Sequence, residues 1–155
     1  MTAPVPARAE AHEPLDPDVR ARWLRYGQGD EVIFPRLLGL RIEDVRVDYC
    51  RMRMPFSNEL LQAAGMVHGG AIASLLDTVV VPAVGSILPR GAVYATVDMH
   101  IQFVRPIAGG DRAEDAVAEG WVVKRGRTTA FCESEAHGAT SGKLLAKSVL
   151  TYTIG

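Results

Sequence analysis

One stretch limits what this chain can become. From His68 through Gly69 and Gly70 to Val81, the residues after the glycines are small or apolar on nearly every side. A helix that is apolar around its whole circumference has to be enclosed by protein. It does not span a membrane as written: the longest uncharged-looking run, Gly69 to Pro89, is interrupted by Asp77, Pro82 and Gly85. Pro82 should kink or end the helix, because its ring removes a hydrogen bond and clashes with the preceding turn.

Asp77 is the only charge between His68 and Arg90. A carboxylate in such a segment is costly unless it is paired, hydrogen-bonded or set at a wet cleft. The segment alone leaves two readings open: a structural acid that fixes the helix, or a base or nucleophile tuned by partial burial. Gly69 and Gly70 favour the second. Glycines at a helix start admit another molecule close to the backbone, where the first amides have no partner within the helix. Together with the positive dipole end, they suit an anion or a polarised carbonyl.

Spacing sharpens the functional reading. Along one helix, the eight residues from Gly69 to Asp77 span ~12 Å. A single carbonyl cannot be polarised by the first and attacked through the second within one chain. If both act on one carbon, they come from different subunits, with two such helices antiparallel across a two-fold axis.

The rest of the chain supplies the enclosure. Val45 and Val47 share one parity, and Cys50, Met52 and Met54 share the other, so a hairpin turn is expected near Asp48. Val93, Ala95, Val97, Met99, Ile101 and Phe103 recur at period two, opposite Tyr94, Thr96, Asp98, His100 and Gln102. Three further strands are expected over 113–124, 128–137 and 143–154. The layout is α+β: one long central helix wrapped by an antiparallel sheet of five to six strands. A short helix near the N-terminus precedes it, capped by Asp16, with Pro17 in its first turn and Gly27 closing it. Residues 1–14, with Pro4, Pro6 and Pro14, read as a flexible tail, and residues 15–155 as a single domain.

Composition excludes several classes. Lys and Arg (17) nearly balance Asp and Glu (18), so no global field attracts nucleic acid or an anionic membrane. Two cysteines, Cys50 and Cys132, are too few for a disulfide scaffold, and the four histidines stand far apart, so no metal site is written here. Residues 1–30 lack an apolar run of signal-peptide type, and a cytoplasmic location is expected.

The motif His68-Gly69-Gly70, with Asp77, then Thr96-Val97-Asp98-Met99 leading to Phe103-Val104-Arg105-Pro106, resembles the hotdog-fold acyl-coenzyme A thioesterases. Within them it is most similar to the phenylacetate-pathway (PaaI-type) branch. Lys124-Arg125-Gly126-Arg127 and Gly142-Lys143-Leu144-Leu145-Ala146 continue the likeness, which covers about residues 35–155. The resemblance implies a homodimer with sheets joined edge to edge, often paired again into a homotetramer. It implies Asp77 as catalytic carboxylate, the Gly69 amide as oxyanion donor, His68 placing that turn, and Thr96 near the nucleophilic water. Gln62 stands where many members have Asn, one methylene longer.

By the same likeness, coenzyme A contacts fall at the Arg105-Pro106 turn and the turn of Lys124, Arg125, Gly126, Arg127 and Thr128. Arg127, then Arg105, is favoured for its phosphates over Arg125 and Lys147, since guanidinium forks suit such oxygens. No cofactor is needed, coenzyme A being part of the substrate. The expected activity is hydrolysis of acyl- or aryl-acyl-coenzyme A. The alternatives are a non-catalytic acyl-coenzyme A-binding module, or a hydratase or dehydratase on the same fold.

Overall fold

The computed structural model describes residues 8–29 and 33–155. Six strands form one antiparallel sheet: β1 (Arg41–Arg46), β2 (Tyr49–Met54), β3 (Tyr94–Phe103), β4 (Ala116–Arg125), β5 (Thr129–Gly138) and β6 (Leu144–Ile154). Their order is β1-β2-β4-β5-β6-β3, which leaves β1 and β3 as edges. Four helices accompany them: α1 (Pro17–Leu24), α2 (Phe34–Leu37), α3 (Gly69–Thr78) and α4 (Val80–Gly85).

The apolar segment is the axle. Helix α3 packs across β2, β3, β4, β5 and β6, and α4 continues over β1, β2, β4 and β5, so the sheet wraps the pair. Leu75, Leu76, Val79, Val80 and Val84 are fully buried. Such burial stabilises by about 1.5–3 kcal/mol per side chain. The helix does not end at Pro82. It breaks at Val79, in the turn that the proline ring crowds and whose carbonyls it cannot bond, and then resumes.

The hairpin β1–β2 turns at Val47-Asp48, where Asp48 takes the left-handed φ of 57°. Met52 and Met54 enter the core, and Cys50 and Cys132 are buried free thiols. Helix α1 starts as expected: Asp16 Oδ1 accepts from the amides of Asp18 (2.9 Å) and Val19 (3.4 Å). The short helix α2 occupies a stretch in which no helix was expected.

Strand β3 departs from strict alternation. Thr96 pairs with Tyr152 and Asp98 with Thr151, so Val97 is an extra residue in a bulge. Tyr94 and Thr96 lie inside before it, and Met99 and Ile101 inside after it, while Asp98 and His100 are exposed. The expectation that Thr96 shares a face with Asp98 and His100 is thereby corrected, because the bulge shifts the register by one.

Of the proline-rich opening, residues 1–7 lie outside the described residues, and from Arg8 onward the chain is docked rather than free. The Arg8 guanidinium lies over the Trp121 ring at 3.4 Å and pairs with Glu135 at 3.3 Å. His12 stacks on Tyr49, and the Val47 amide bonds the Glu13 carbonyl at 2.9 Å. Beneath this strap Glu119 is 1% exposed, with Tyr49 Oη donating to its Oε1 at 2.5 Å; Arg8 Nε stands 3.9 Å from its Oε2, an ion pair without a hydrogen bond.

Candidate active site

Two groups on one helix define the site, and each is prepared by neighbours. At the start of α3, His68 is the cap: its Nδ1 accepts from the Gly70 amide at 2.8 Å, which places the ring proton on Nε2. Gly70 must be bare for this, since a Cβ there would stand 2.9 Å from His68 Nδ1. The His68 backbone is pinned in turn, its amide bonding the Leu60 carbonyl at 2.8 Å and its carbonyl accepting from Ala71 at 3.0 Å.

This accounting leaves the Gly69 amide over. Among the described residues no acceptor bonds it. The Phe103 ring flanks it, 3.3 Å from where a Cβ would be. A cavity of about 360 Å³ opens at this point, bounded by Gln62, Met66, Gly69, Ile72, Phe103 and Arg105. An unpartnered amide at the positive end of a ten-residue helix, facing a partly apolar cavity, can stabilise charge developing on a carbonyl oxygen.

Eight residues on, Asp77 is half-buried, and the Thr96 hydroxyl donates to its Oδ1 at 2.6 Å. Its Oδ2 accepts no hydrogen bond among the described residues, so one oxygen is held and the other is free to take a proton. Tyr152 Oη donates to the Asp77 carbonyl at 3.3 Å. Burial pushes the Tyr152 hydroxyl up, and the Asp77 charge adds to this; the same two causes, in the same order, raise Tyr26. Both tyrosines therefore stay neutral phenols. Neither was singled out by sequence reasoning, although Tyr152 stands opposite Thr96 on the inner face.

The structure thus brings Asp77 together with Thr96, and Gly69 with His68, Gln62 and Arg105, but keeps the two sets apart along α3. Gln62 turns back on its own loop, Oε1 accepting from the Ala64 amide at 2.6 Å. Arg105 is exposed at the cavity mouth, with one guanidinium nitrogen on the Leu144 carbonyl at 3.1 Å. Arg127 and Thr128 stand exposed at the β4–β5 turn, which the Gly126 amide closes onto the Thr129 carbonyl at 2.7 Å. Arg125 is committed to the fold: it pairs with Asp48 and donates to the Val84 carbonyl at 2.9 Å. Lys147 is exposed on β6. Among the described residues there is no group of three His, Cys, Asp or Glu side chains able to hold a metal ion. Among the described residues no helix is long and apolar enough to cross a membrane.

Residues 64–144 match the thioesterase superfamily profile. Human acyl-coenzyme A thioesterase 13 is 34% identical over 106 residues, covering 68% of this chain and 71% of its own length. A Halobacterium salinarum relative, named as a candidate esterase, is 36% identical over 101 residues, and the chain spans slightly less than two thirds of it, 64%. Zebrafish thioesterase superfamily member 2 superposes with a TM-score of 0.74 at 27% identity, covering 86% of this chain and 94% of that one. The PaaI protein of the Escherichia coli phenylacetic acid degradation operon shares the fold, with a TM-score of 0.73 at 21% identity over 87% of this chain and 93% of that one.

Proposed function

Because this chain belongs to the thioesterase superfamily, we propose that it is an enzyme that hydrolyses acyl-coenzyme A thioesters, at sites that two protomers build together. The observation that carries the reading is the pair of prepared groups on one helix: an amide with no acceptor at Gly69 and a carboxylate with one free oxygen at Asp77. One subunit's Gly69 amide binds the thioester oxygen as negative charge gathers there. The mate's Asp77 takes a proton from the attacking water, with Thr96 fixing the oxygen that does not. Water adds to the carbonyl carbon, the carbon–sulfur bond breaks, and the coenzyme A thiolate leaves with a proton returned to it. Met66, Ile72 and Phe103 give the cavity an apolar wall for the acyl group.

The ~12 Å between the two groups along the helix is what requires the second subunit. Edge strand β3 supports this. It has one unpaired side and carries Val97 at 63% exposure, so a second copy can extend the sheet there.

The test is thiol release from phenylacetyl-, benzoyl- and hexanoyl-coenzyme A. Cys50 and Cys132 are buried, the latter pushed up to about 12 by burial, so the native protein adds little background to a thiol reagent. Asp77→Asn keeps the shape but not the base, and is expected to lose turnover by about a hundred-fold or more while still binding substrate. Equal loss of binding and folding would make Asp77 structural. Saturable binding without thiol release by the wild type would make the protein an acyl-coenzyme A-binding module.

A further inference from the structure

The open edge of β3 has a fixed alternation. The Gly155 amide bonds the Val93 carbonyl at 2.9 Å, and the Val104 amide bonds the Leu145 carbonyl at 2.7 Å. Counting inward from these, Ala95, Asp98, His100 and Gln102 direct their peptide groups toward β6, with the Val97 bulge resetting the count. Thr96, Met99, Ile101 and Phe103 direct theirs outward, to a second strand. The shared site selects one register for that strand. Thr96 lies on Asp77 at 2.6 Å, and Phe103 flanks Gly69. For one subunit's Gly69 to meet the other's Asp77, Thr96 must stand opposite the partner's Phe103. Across the bulge the ladder then runs with Asp98 opposite the partner's Gln102, Met99 opposite the partner's Ile101, and His100 opposite the partner's His100. Every outward-bonding residue meets another, and the two-fold axis passes between the two histidines. Theirs is a non-hydrogen-bonded pair, in which Cα atoms stand about 4.5 Å apart and side chains approach most closely.

We propose that the two His100 side chains, with Asp98 of each subunit beside them, bind one late first-row divalent cation such as Zn²⁺ on the two-fold axis and so fasten the subunits together. The register, and with it the pairing, rests on the reading of a thioester site shared between subunits. His100 and Asp98 are both exposed, on the face of the sheet away from Asp77. With Cβ atoms about 4.5–5.5 Å apart, the two imidazoles can share an ion at about 2.0–2.1 Å from each nitrogen. Asp98, two residues along the same face, adds negative charge and an acceptor for the remaining ring N–H. Of the charged groups that line the neighbouring cavity of about 330 Å³ with His100, Glu135 is taken by Arg8, and Glu133 offsets Lys147. The aspartates therefore set the sign of the field. Imidazole nitrogens suit Zn²⁺, Cu²⁺ and Ni²⁺ rather than Mg²⁺ or Ca²⁺. Among the described residues no three such ligands stand together in one chain, so the set exists only in the dimer.

Two measurements test this beside thiol release from an acyl-coenzyme A. Cross-linking reads the register. His100→Cys is expected to form a disulfide between subunits on mild oxidation, since a Cα separation of about 4.5 Å is within bridging range. Asp98→Cys or Gln102→Cys alone is expected to stay unlinked, and the two mixed are expected to link. Cys50 and Cys132 are buried and add no background. Calorimetric titration with Zn²⁺ reads the ion: one per dimer is expected in the wild type and none in His100→Ala. With Zn²⁺ at about one hundred times its Kd, the dimer dissociation constant should fall about a hundred-fold. A His100→Cys variant that stays unlinked while thiol is released overturns the axis, and the metal site with it, and leaves the thioesterase reading standing. Cross-linking without stoichiometric Zn²⁺ binding, or Zn²⁺ binding that survives His100→Ala, overturns the metal site. Cross-linking and Zn²⁺ binding in a protein that releases no thiol support the site and overturn the catalytic reading.

Discussion

Gly70→Ala separates stability from catalysis. The added methyl would lie 2.9 Å from His68 Nδ1 and 3.3 Å from Cε1, so the imidazole must leave the position from which it caps the helix. Two effects on stability then oppose one another. Replacing glycine by alanine within a helix gains about 1 kcal/mol, and loss of an N-terminal cap costs about 1 kcal/mol. The melting temperature should therefore barely move. Catalysis has no such compensation. The Gly69 amide sits between the displaced cap and the next turn, and re-aiming an oxyanion donor by about 1 Å costs on the order of a hundred-fold in kcat. The assay is kcat on the best acyl-coenzyme A beside a thermal melt of the same preparation. A kcat within about three-fold of wild type would refute the argument that His68 aims the Gly69 amide.

Two further outcomes follow from the fold. Arg8→Ala removes the cation beside buried Glu119 and the group stacked on Trp121, and should cost about 2 kcal/mol in urea unfolding while leaving kcat unchanged; an unchanged urea midpoint would mean the strap contributes nothing. Burial works to raise Glu43 and Asp44, but arginine bonds from Arg51 and Arg53 to the first, and from Arg46 and Arg20 to the second, hold both below their usual 4.5 and 3.8. With folded values depressed, the stability these groups add is present above about pH 4.5 and lost as pH falls further, because the unfolded chain then binds more protons. Glu43→Gln should flatten the fall in urea midpoint between about pH 4.5 and 3, and a midpoint indifferent to pH there would contradict it.

Much of this architecture was legible in the sequence because it follows from local chemistry. An all-apolar helix had to be wrapped, the parity switch beside Asp48 marked a hairpin, and Asp16-Pro17 marked the start of α1. The His68-Gly69-Gly70 turn and the lone Asp77 also announced themselves, since glycine and charge stand out in an apolar run. What escaped depends on partners distant in the chain. The Val97 bulge arises from how β3 pairs with β6, and no periodicity within β3 contains it. Arg125 looked like a phosphate ligand because Asp48, its partner, lies 77 positions away. Residues 8–14 looked like a tail because the surface they cover, Tyr49, Glu119 and Trp121, comes from two strands. Parity alone set Thr96 on one face with Asp98 and His100, so its 2.6 Å bond to Asp77 is a product of the bulge and of packing.

The most direct measurement of the shared site uses subunit exchange. Gly69→Pro deletes the amide donor at a helix position that suits proline, and His68 already has the extended backbone (φ −62°, ψ 135°) that precedes one. Asp77→Ala deletes the acid. Each variant alone should be nearly inactive. After verified exchange at equal amounts, about half the dimers are mixed and one of the two sites in each is whole, so activity should return to about a quarter of wild type. Activity no greater than the sum of the two parents would contradict a site built from Gly69 of one subunit and Asp77 of the other.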